Sequence, residues 1–205
     1  MPGLVHVVDD DASFRTAIER RLKLAGYEVE TYASAQELLD HLPDNGAPGC
    51  ILLDVRIPGL SGPELQTRLT ELGSTLPIVF LTGHGTVDSS VRAMKAGAVD
   101  FLTKPVKREV LLDAVGRALA RNATQRRAQE ETDQLHVRFA SLTERQREVF
   151  DRIVAGKLNK QIAAELSIAE RTVKREREQV MAKLGANSAA DLGRLAELLR
   201  RSTAK

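Results

Sequence analysis

The sequence predicts an α/β doubly wound, five-stranded parallel sheet followed by an all-α four-helix domain, with a long helix joining the two. Three observations carry that prediction. In the first half of the chain, short apolar runs of strand length alternate five times with amphipathic helical stretches. The second half shows helical periodicity alone, cut by Gly156, Gly185 and the turn Ser167-Ile168-Ala169. Between them no proline or glycine interrupts Arg117 to Ala155, so the connection is expected to be helical.

The elements follow in order. Leu4 to Val8 is a buried-strand run that stops at Asp9-Asp10-Asp11. A helix follows with Phe14, Ile18, Leu22 and Ala25 on one face and Gly26 at its end. Val29 to Tyr32 forms a short second strand, and Ser34 with Glu37 makes a capping box for a helix through Leu42. A loop from Pro43 to Gly49 leads to the third strand, Cys50 to Asp54, which ends on a carboxylate. Pro58-Gly59 breaks the chain; Ser61, Pro63 and Glu64 then open a helix that closes near Gly73. Pro77 to Thr82 is the fourth strand, followed by Gly83-His84-Gly85 and a helix ending at Gly97. Val99 to Thr103 is the fifth, stopped by Lys104-Pro105. A helix from Lys107 to Ala140 completes the front half, with Val110, Leu111, Val115 and Leu119 expected to face the core. Beyond Arg121 it turns polar all round, as solvent-spanning connectors do, until Leu135, Val137 and Phe139 resume apolar contact.

Composition narrows the function classes. Aromatics make up only 3% of the chain, so its cores are aliphatic. Cys50 is the single cysteine, which leaves no disulfide framework or thiolate metal set and suits a reducing cytoplasm. The amino terminus has no charged segment leading into an apolar one, and no stretch reaches membrane-span length, so no membrane partner is expected. The net charge is +2, yet residues 1–122 carry 13 basic against 16 acidic groups while residues 142–205 carry 14 against 9. An acidic front and a basic tail point to two domains with different partners, and a basic tail suits nucleic acid.

Chemistry is expected at the strand ends, because an open parallel sheet gathers its carboxyl ends along one edge. There the chain delivers Asp9 and Asp10, then Asp54, then Thr82, then Lys104. Clustered carboxylates call for a cation, and an all-oxygen set favours Mg2+ or Mn2+. A lysine and a hydroxyl opposite them suit phosphoryl oxygens, and a carboxylate can itself accept a phosphoryl group.

These residues resemble the receiver domain of two-component response regulators over residue 4 to about 120: Val8-Asp9-Asp10, Asp54 with Pro58 four places on, Thr82, Phe101 and Lys104-Pro105. The resemblance implies that a sensor histidine kinase phosphorylates Asp54. It implies that Asp10 and Asp54 bind the metal directly, Asp9 through water and Arg56 through its backbone carbonyl. Lys104 is then the phosphoryl contact, Thr82 and Phe101 the switch pair, and the Lys104-Pro105 bond cis. Asp11 reads as a solvated or helix-opening charge with a minor share in the metal site. Arg56 and His84, each two places beyond a site residue, are candidates for tuning the lifetime of the phosphoryl group.

In the tail, Thr143 and Gln146 can form a capping box for a helix that closes at Gly156 with Val149, Ile153 and Val154 inward. A short helix from Asn159 to Leu166, a tight turn, and a longer basic helix from Glu170 to Leu184 give a helix-turn-helix pattern. A fourth helix runs from Ser188 to about Arg200 and buries Leu192, Leu195, Ala196 and Leu199. Leu142-Thr143-Glu144-Arg145, Asn159-Lys160-Gln161-Ile162-Ala163, Arg171-Thr172-Val173-Lys174 and Met181-Ala182-Lys183-Leu184 resemble the LuxR-type helix-turn-helix. With the receiver, the whole resembles the NarL/FixJ regulators, in the FixJ branch and its styrene-response subgroup. That resemblance places the third tail helix in the DNA major groove and makes the fourth a dimer contact. It makes Lys160, Arg171, Thr172, Arg177 and Lys183 candidates for phosphate contact, and turns Lys174, Arg175 and Glu178 toward the bases. Three positions depart from the pattern. Ala169 stands where a capping Ser or Thr is usual, Glu176 where a histidine is usual, and Glu178 where a base is common. Glu176 and Glu178 are expected to repel phosphate unless they accept from cytosine amino groups.

The expected layout is a receiver over 1–121, a helical linker over 122–140 and a DNA-binding domain over 141–205. The expected function is a transcription factor whose phosphorylation on Asp54 promotes homodimerisation, DNA binding and contact with RNA polymerase. An enzyme of the dehalogenase type needs a second Asp two places beyond the nucleophile, and Arg56 stands there. The remaining alternative is a helical output that binds protein or RNA instead of duplex DNA.

Overall fold

The computed structural model describes residues 3–41, 48–83, 91 and 93–203. In the first half the elements are β1 (Leu4–Val8), α1 (Ala12–Leu24), β2 (Glu28–Tyr32), α2 (Ala35–Asp40), β3 (Gly49–Asp54), α3 (Gly62–Glu71), β4 (Ile78–Thr82) and β5 (Asp100–Thr103). Helices α4 (Arg108–Ala140), α5 (Glu144–Val154), α6 (Asn159–Leu166), α7 (Glu170–Leu184) and α8 (Ala189–Thr203) follow. The chain divides into two compact units, 1–126 and 127–205; α4 begins in the first and ends in the second.

In the first unit the sheet order is β2-β1-β3-β4-β5 and every neighbouring pair is parallel. The order reverses between β1 and β3, and an open α/β sheet has its ligand crevice at such a reversal. Alternate residues of each strand face opposite layers. Val5, Val7, Cys50, Leu52, Val79 and Leu81 join Ile18 and Leu22 of α1 and Leu111 and Val115 of α4 in one buried cluster. Val8, Ile51, Leu53 and Phe80 join Leu38 of α2 and Leu65 of α3 in the other. Each such side chain contributes about 1.5–3 kcal/mol by leaving water, and the two clusters clamp the strands from both sides.

The helix starts follow the capping chemistry. Asp11 opens α1, its carboxylate accepting from the N–H groups of Ser13 (2.9 Å) and Phe14 (3.1 Å). Ser34 accepts from Glu37 N–H (3.2 Å), and Glu64 accepts from both the N–H (2.8 Å) and the hydroxyl (2.6 Å) of Ser61. Helix α2 ends at Asp40, two residues short of expectation, with His41 as its cap; Leu42 lies outside the described residues. The long helix differs from expectation at two valines. Its inward stripe is Leu111, Ala114, Val115 and Ala118, so Val110 falls one position off the face and is 46% exposed. Val137 is 72% exposed, because the second core takes Leu135 and the flank of Phe139 and the residue between them points away.

The second unit is built of α5 to α8 around Val149, Phe150, Ile153, Ile162, Val173, Val180, Leu184, Leu192, Ala196 and Leu199. Thr143 and Gln146 form a reciprocal capping box at α5, with both bonds at 3.2 Å. Ser167 adopts a left-handed φ of 51°, which closes the turn between α6 and α7. Ala169 takes the cap position of α7 without a side-chain bond. Among the described residues no helix is long and apolar enough to cross a membrane.

Candidate functional site: a carboxylate pocket and a basic helix

Strands β1 and β3 end side by side, with Val8 level with Leu53, so Asp9 and Asp54 emerge together. Asp9, Asp10 and Asp54 each offer a carboxylate oxygen within 4.8 Å of the others; Asp9 and Asp54 are buried and Asp10 is exposed. Lys104, from the end of β5, reaches across β4 to both buried acids. Its ammonium donates to Asp9 and to Asp54 Oδ2, the latter at 2.6 Å. Burial pushes the Asp9 carboxyl above its ordinary range, and the hydrogen bonds from Lys104 and from Asp11 N–H (3.0 Å) pull it back. For Lys104 burial acts downward, but bonds to Asp54 and Asp9 outweigh it and hold the ammonium above its ordinary value. Three carboxylates face one ammonium. This excess of negative charge, offered entirely through oxygen, fits a hard divalent cation.

The remaining expected pocket residues fall around this centre. Arg56 places its backbone N–H on Asp54 Oδ1 (3.0 Å), so the two oxygens of Asp54 have different partners: a backbone amide on one, an ammonium on the other. Thr82 is buried at the end of β4, one residue past the pairing of Asp54 with Leu81. Phe101 is half-buried in β5 and stands against Phe80, ring centroids 6.2 Å apart at 43°. The Lys104-Pro105 peptide is cis. His84 lies outside the described residues.

Three residues support the pocket that strand-end reasoning passed over. Phe14 lies beneath the Lys104 ammonium, 4.0 Å from ring centroid to Nζ. Arg15 donates to the backbone carbonyl of Asp9 at 2.5 Å. Both stand in the first turn of the helix that Asp11 opens, and that position was the available signal. Gly62 approaches the pocket floor so closely that a Cβ there would lie 2.6 Å from the carbonyl oxygen of Asp54 and 2.9 Å from the Phe80 ring. The close approach brings the start of α3 against the end of β3 and against Phe80 of β4, a packing that the local pattern did not show.

In the second unit α7 buries Val173, Glu176, Val180 and Leu184 and exposes Arg171, Lys174, Arg175 and Glu178 on the opposite side. Lys160 is exposed on α6; Thr172 is half-buried, and Arg177, also half-buried, donates to Asn159 Oδ1 (3.3 Å). Lys183 has its ammonium engaged within the unit, on Ser141 O (2.9 Å) and Gln146 Oε1 (2.8 Å). Glu176 corrects the expectation of two groove-facing acids. It is 8% exposed because it lies three residues after Val173 and four before Val180, on the inward stripe. Glu178 alone of the pair stands outside.

Comparison with known proteins agrees with both halves. Residues 5–116 match the response regulator receiver domain and residues 140–196 the luxR family of bacterial regulatory proteins. The chain is 46% identical to nodulation protein W of Bradyrhizobium diazoefficiens over 96% of this chain and 86% of that one. It is 47% identical to the solved response regulator StyR, with a TM-score of 0.83 over 96% of this chain and 99% of that one. Full-length FixJ from B. japonicum is 40% identical, with a TM-score of 0.59 over 97% and 98%. With a five-stranded receiver ahead of a LuxR-type helical domain, the chain belongs to the NarL/FixJ family of two-component response regulators and is a transcription regulator with a DNA-binding output.

Proposed function

We propose that Asp54 is the phosphoryl acceptor and that its modification controls DNA binding by the tail. The observation that carries this reading is the convergence of Asp9, Asp10, Asp54 and Lys104 from three strand ends on one point. Asp10, Asp54 and the carbonyl of Arg56 would hold Mg2+, or Mn2+, with Asp9 assisting through water. Bound there, the ion offsets negative charge on the transferring group. An Asp54 carboxylate oxygen forms a bond to phosphorus as the phosphohistidine of the cognate kinase releases its own. Lys104 leaves its contact with Asp54 and follows the new oxygens. Thr82 then turns toward the phosphoryl group and Phe101 turns inward into the space beside it.

The reading extends to the whole regulator. Residues 1–121 act as receiver, 122–140 as connector and 141–205 as DNA-binding domain. The phosphorylated receivers pair, so two tails meet a two-fold site together, and affinity rises through effective concentration without new contacts per tail. Lys160, Arg171, Thr172, Arg177 and Lys183 serve the phosphates, while Lys174, Arg175 and Glu178 meet the base edges. RNA polymerase is the expected further partner at the promoter.

A mobility shift on a duplex selected from a random pool tests the output. Steeply salt-dependent binding that tightens after acetyl phosphate treatment is expected, since phosphate contacts release counterions. Binding that ignores salt or treatment would contradict the reading.

A further inference from the structure

Glu176 sits on the DNA-reading helix yet keeps its carboxylate inside the domain, and the side chain that receives it is Gln146 of α5. Gln146 is itself buried, 4% exposed, and three of its side-chain partners can act in one sense only. Its Oε1 accepts from Thr143 N–H (3.2 Å) and from the Lys183 ammonium (2.8 Å), two groups that only donate. Its Nε2 donates to Glu176 Oε2 (3.3 Å), a carboxylate that only accepts, and to Gln179 Oε1 (2.9 Å). The amide therefore has one orientation, with its NH2 end toward α7. Glu176 Oε1 also accepts from the guanidinium of Arg175 (3.3 Å), whose side chain is 69% exposed.

We infer that Gln146 is a positioning residue for DNA binding: its amide, oriented by Thr143 and Lys183, draws the Glu176 carboxylate inward and so keeps the exposed face of α7 cationic. The inference rests on the DNA-binding reading of the tail. Without the amide, the carboxylate has water as its best partner, and the way to water leads past Arg175 onto the face that carries Arg171 and Lys174. There it would neutralise Arg175 and oppose the phosphates. The capping box supplies the link: the side chain that starts α5 also sets the charge of α7.

The test uses the full chain in four forms: wild type, Gln146→Glu, Glu176→Gln and the double variant. Each is measured for thermal melting and for binding to one duplex that the wild type selects from a random pool, at several salt concentrations. Gln146→Glu places a second carboxylate against Glu176, so affinity is expected to fall about tenfold or more at low salt. The deficit should shrink as salt rises, because a misplaced surface charge is screened. A helix displaced for purely structural reasons would lose affinity at every salt. Glu176→Gln alone should bind like the wild type, and in the double variant it should restore the loss. Wild-type affinity in a folded Gln146→Glu protein would overturn the inference, as would a deficit that does not change with salt or a double variant no better than the single one. Should Gln146→Glu melt below the binding temperature, Gln146→Met keeps the volume and removes only the amide; loss is again expected, and full affinity overturns the inference. If the wild type itself selects no duplex, the DNA-binding reading fails first.

Discussion

Lys104 answers two buried carboxylates at once, and much of the pocket's behaviour turns on it. Replacing it with Met leaves Asp9 and Asp54 facing each other without a counter-charge, which should cost about 3 kcal/mol in the absence of metal. Urea unfolding with and without Mg2+ measures this: the deficit should narrow on adding the ion and should persist if the acids do not bind it. Gly62→Ala drives a methyl into the Asp54 carbonyl and the Phe80 ring, so the floor must shift. A loss of about 1–3 kcal/mol, with slower labelling of Asp54 by acetyl phosphate, is expected. His6 supplies a pH dependence of its own. Burial pushes its imidazole below the ordinary value of 6.5, and Glu30 only partly offsets this. The folded state therefore binds fewer protons at His6 than the unfolded chain does, so this group's contribution to stability falls as pH drops through about 6.5. Urea midpoints should fall between about pH 7 and pH 5, and His6→Gln should flatten that slope.

At the scale of elements, caps and periodicity explain both what was legible and what was not. Five βα units and the helix-turn-helix could be read because β1 runs into Asp9, β3 ends on Asp54 and β4 and β5 end on Thr82 and Thr103, and because four of the eight described helices open on Asp11, Ser34, Ser61 or Thr143. Helix α7 opens on Ala169 and lacks that bond. Ala169→Ser should therefore stabilise the second unit by about 1 kcal/mol, raising its melting temperature by about 4–8 °C in calorimetry. Val110, Val137 and Glu176 were misplaced for one reason. Residue type marked them as inward or outward, whereas the angle of a turn decides it: Val110 lies a position before Leu111, and Glu176 lies on the line from Val173 to Val180. Leu135→Ala should cost about 2–5 kcal/mol in the second unit, while Val137→Ala should stay within about 0.5 kcal/mol, as chemical denaturation would show.

Over the whole molecule, the acidic front and basic tail separate two kinds of chemistry: a cation-seeking pocket at the reversal of a parallel sheet, and a positive helix face. The strand-end aspartates and Lys104 were visible in sequence because a parallel sheet leaves their side chains only one edge to share. Phe14 under Lys104, Gly62 against Phe80 and the Gln146 amide that receives Glu176 depend on packing between distant segments and had to be seen in three dimensions. The most direct measurement is intact mass together with DNA affinity, for the wild type and Asp54→Ala, with and without acetyl phosphate and Mg2+. A phosphate-sized mass gain confined to the wild type, together with tighter DNA binding, is the predicted result. No gain in the wild type, or an equal gain in Asp54→Ala, would contradict Asp54 as the acceptor and with it the control of the tail.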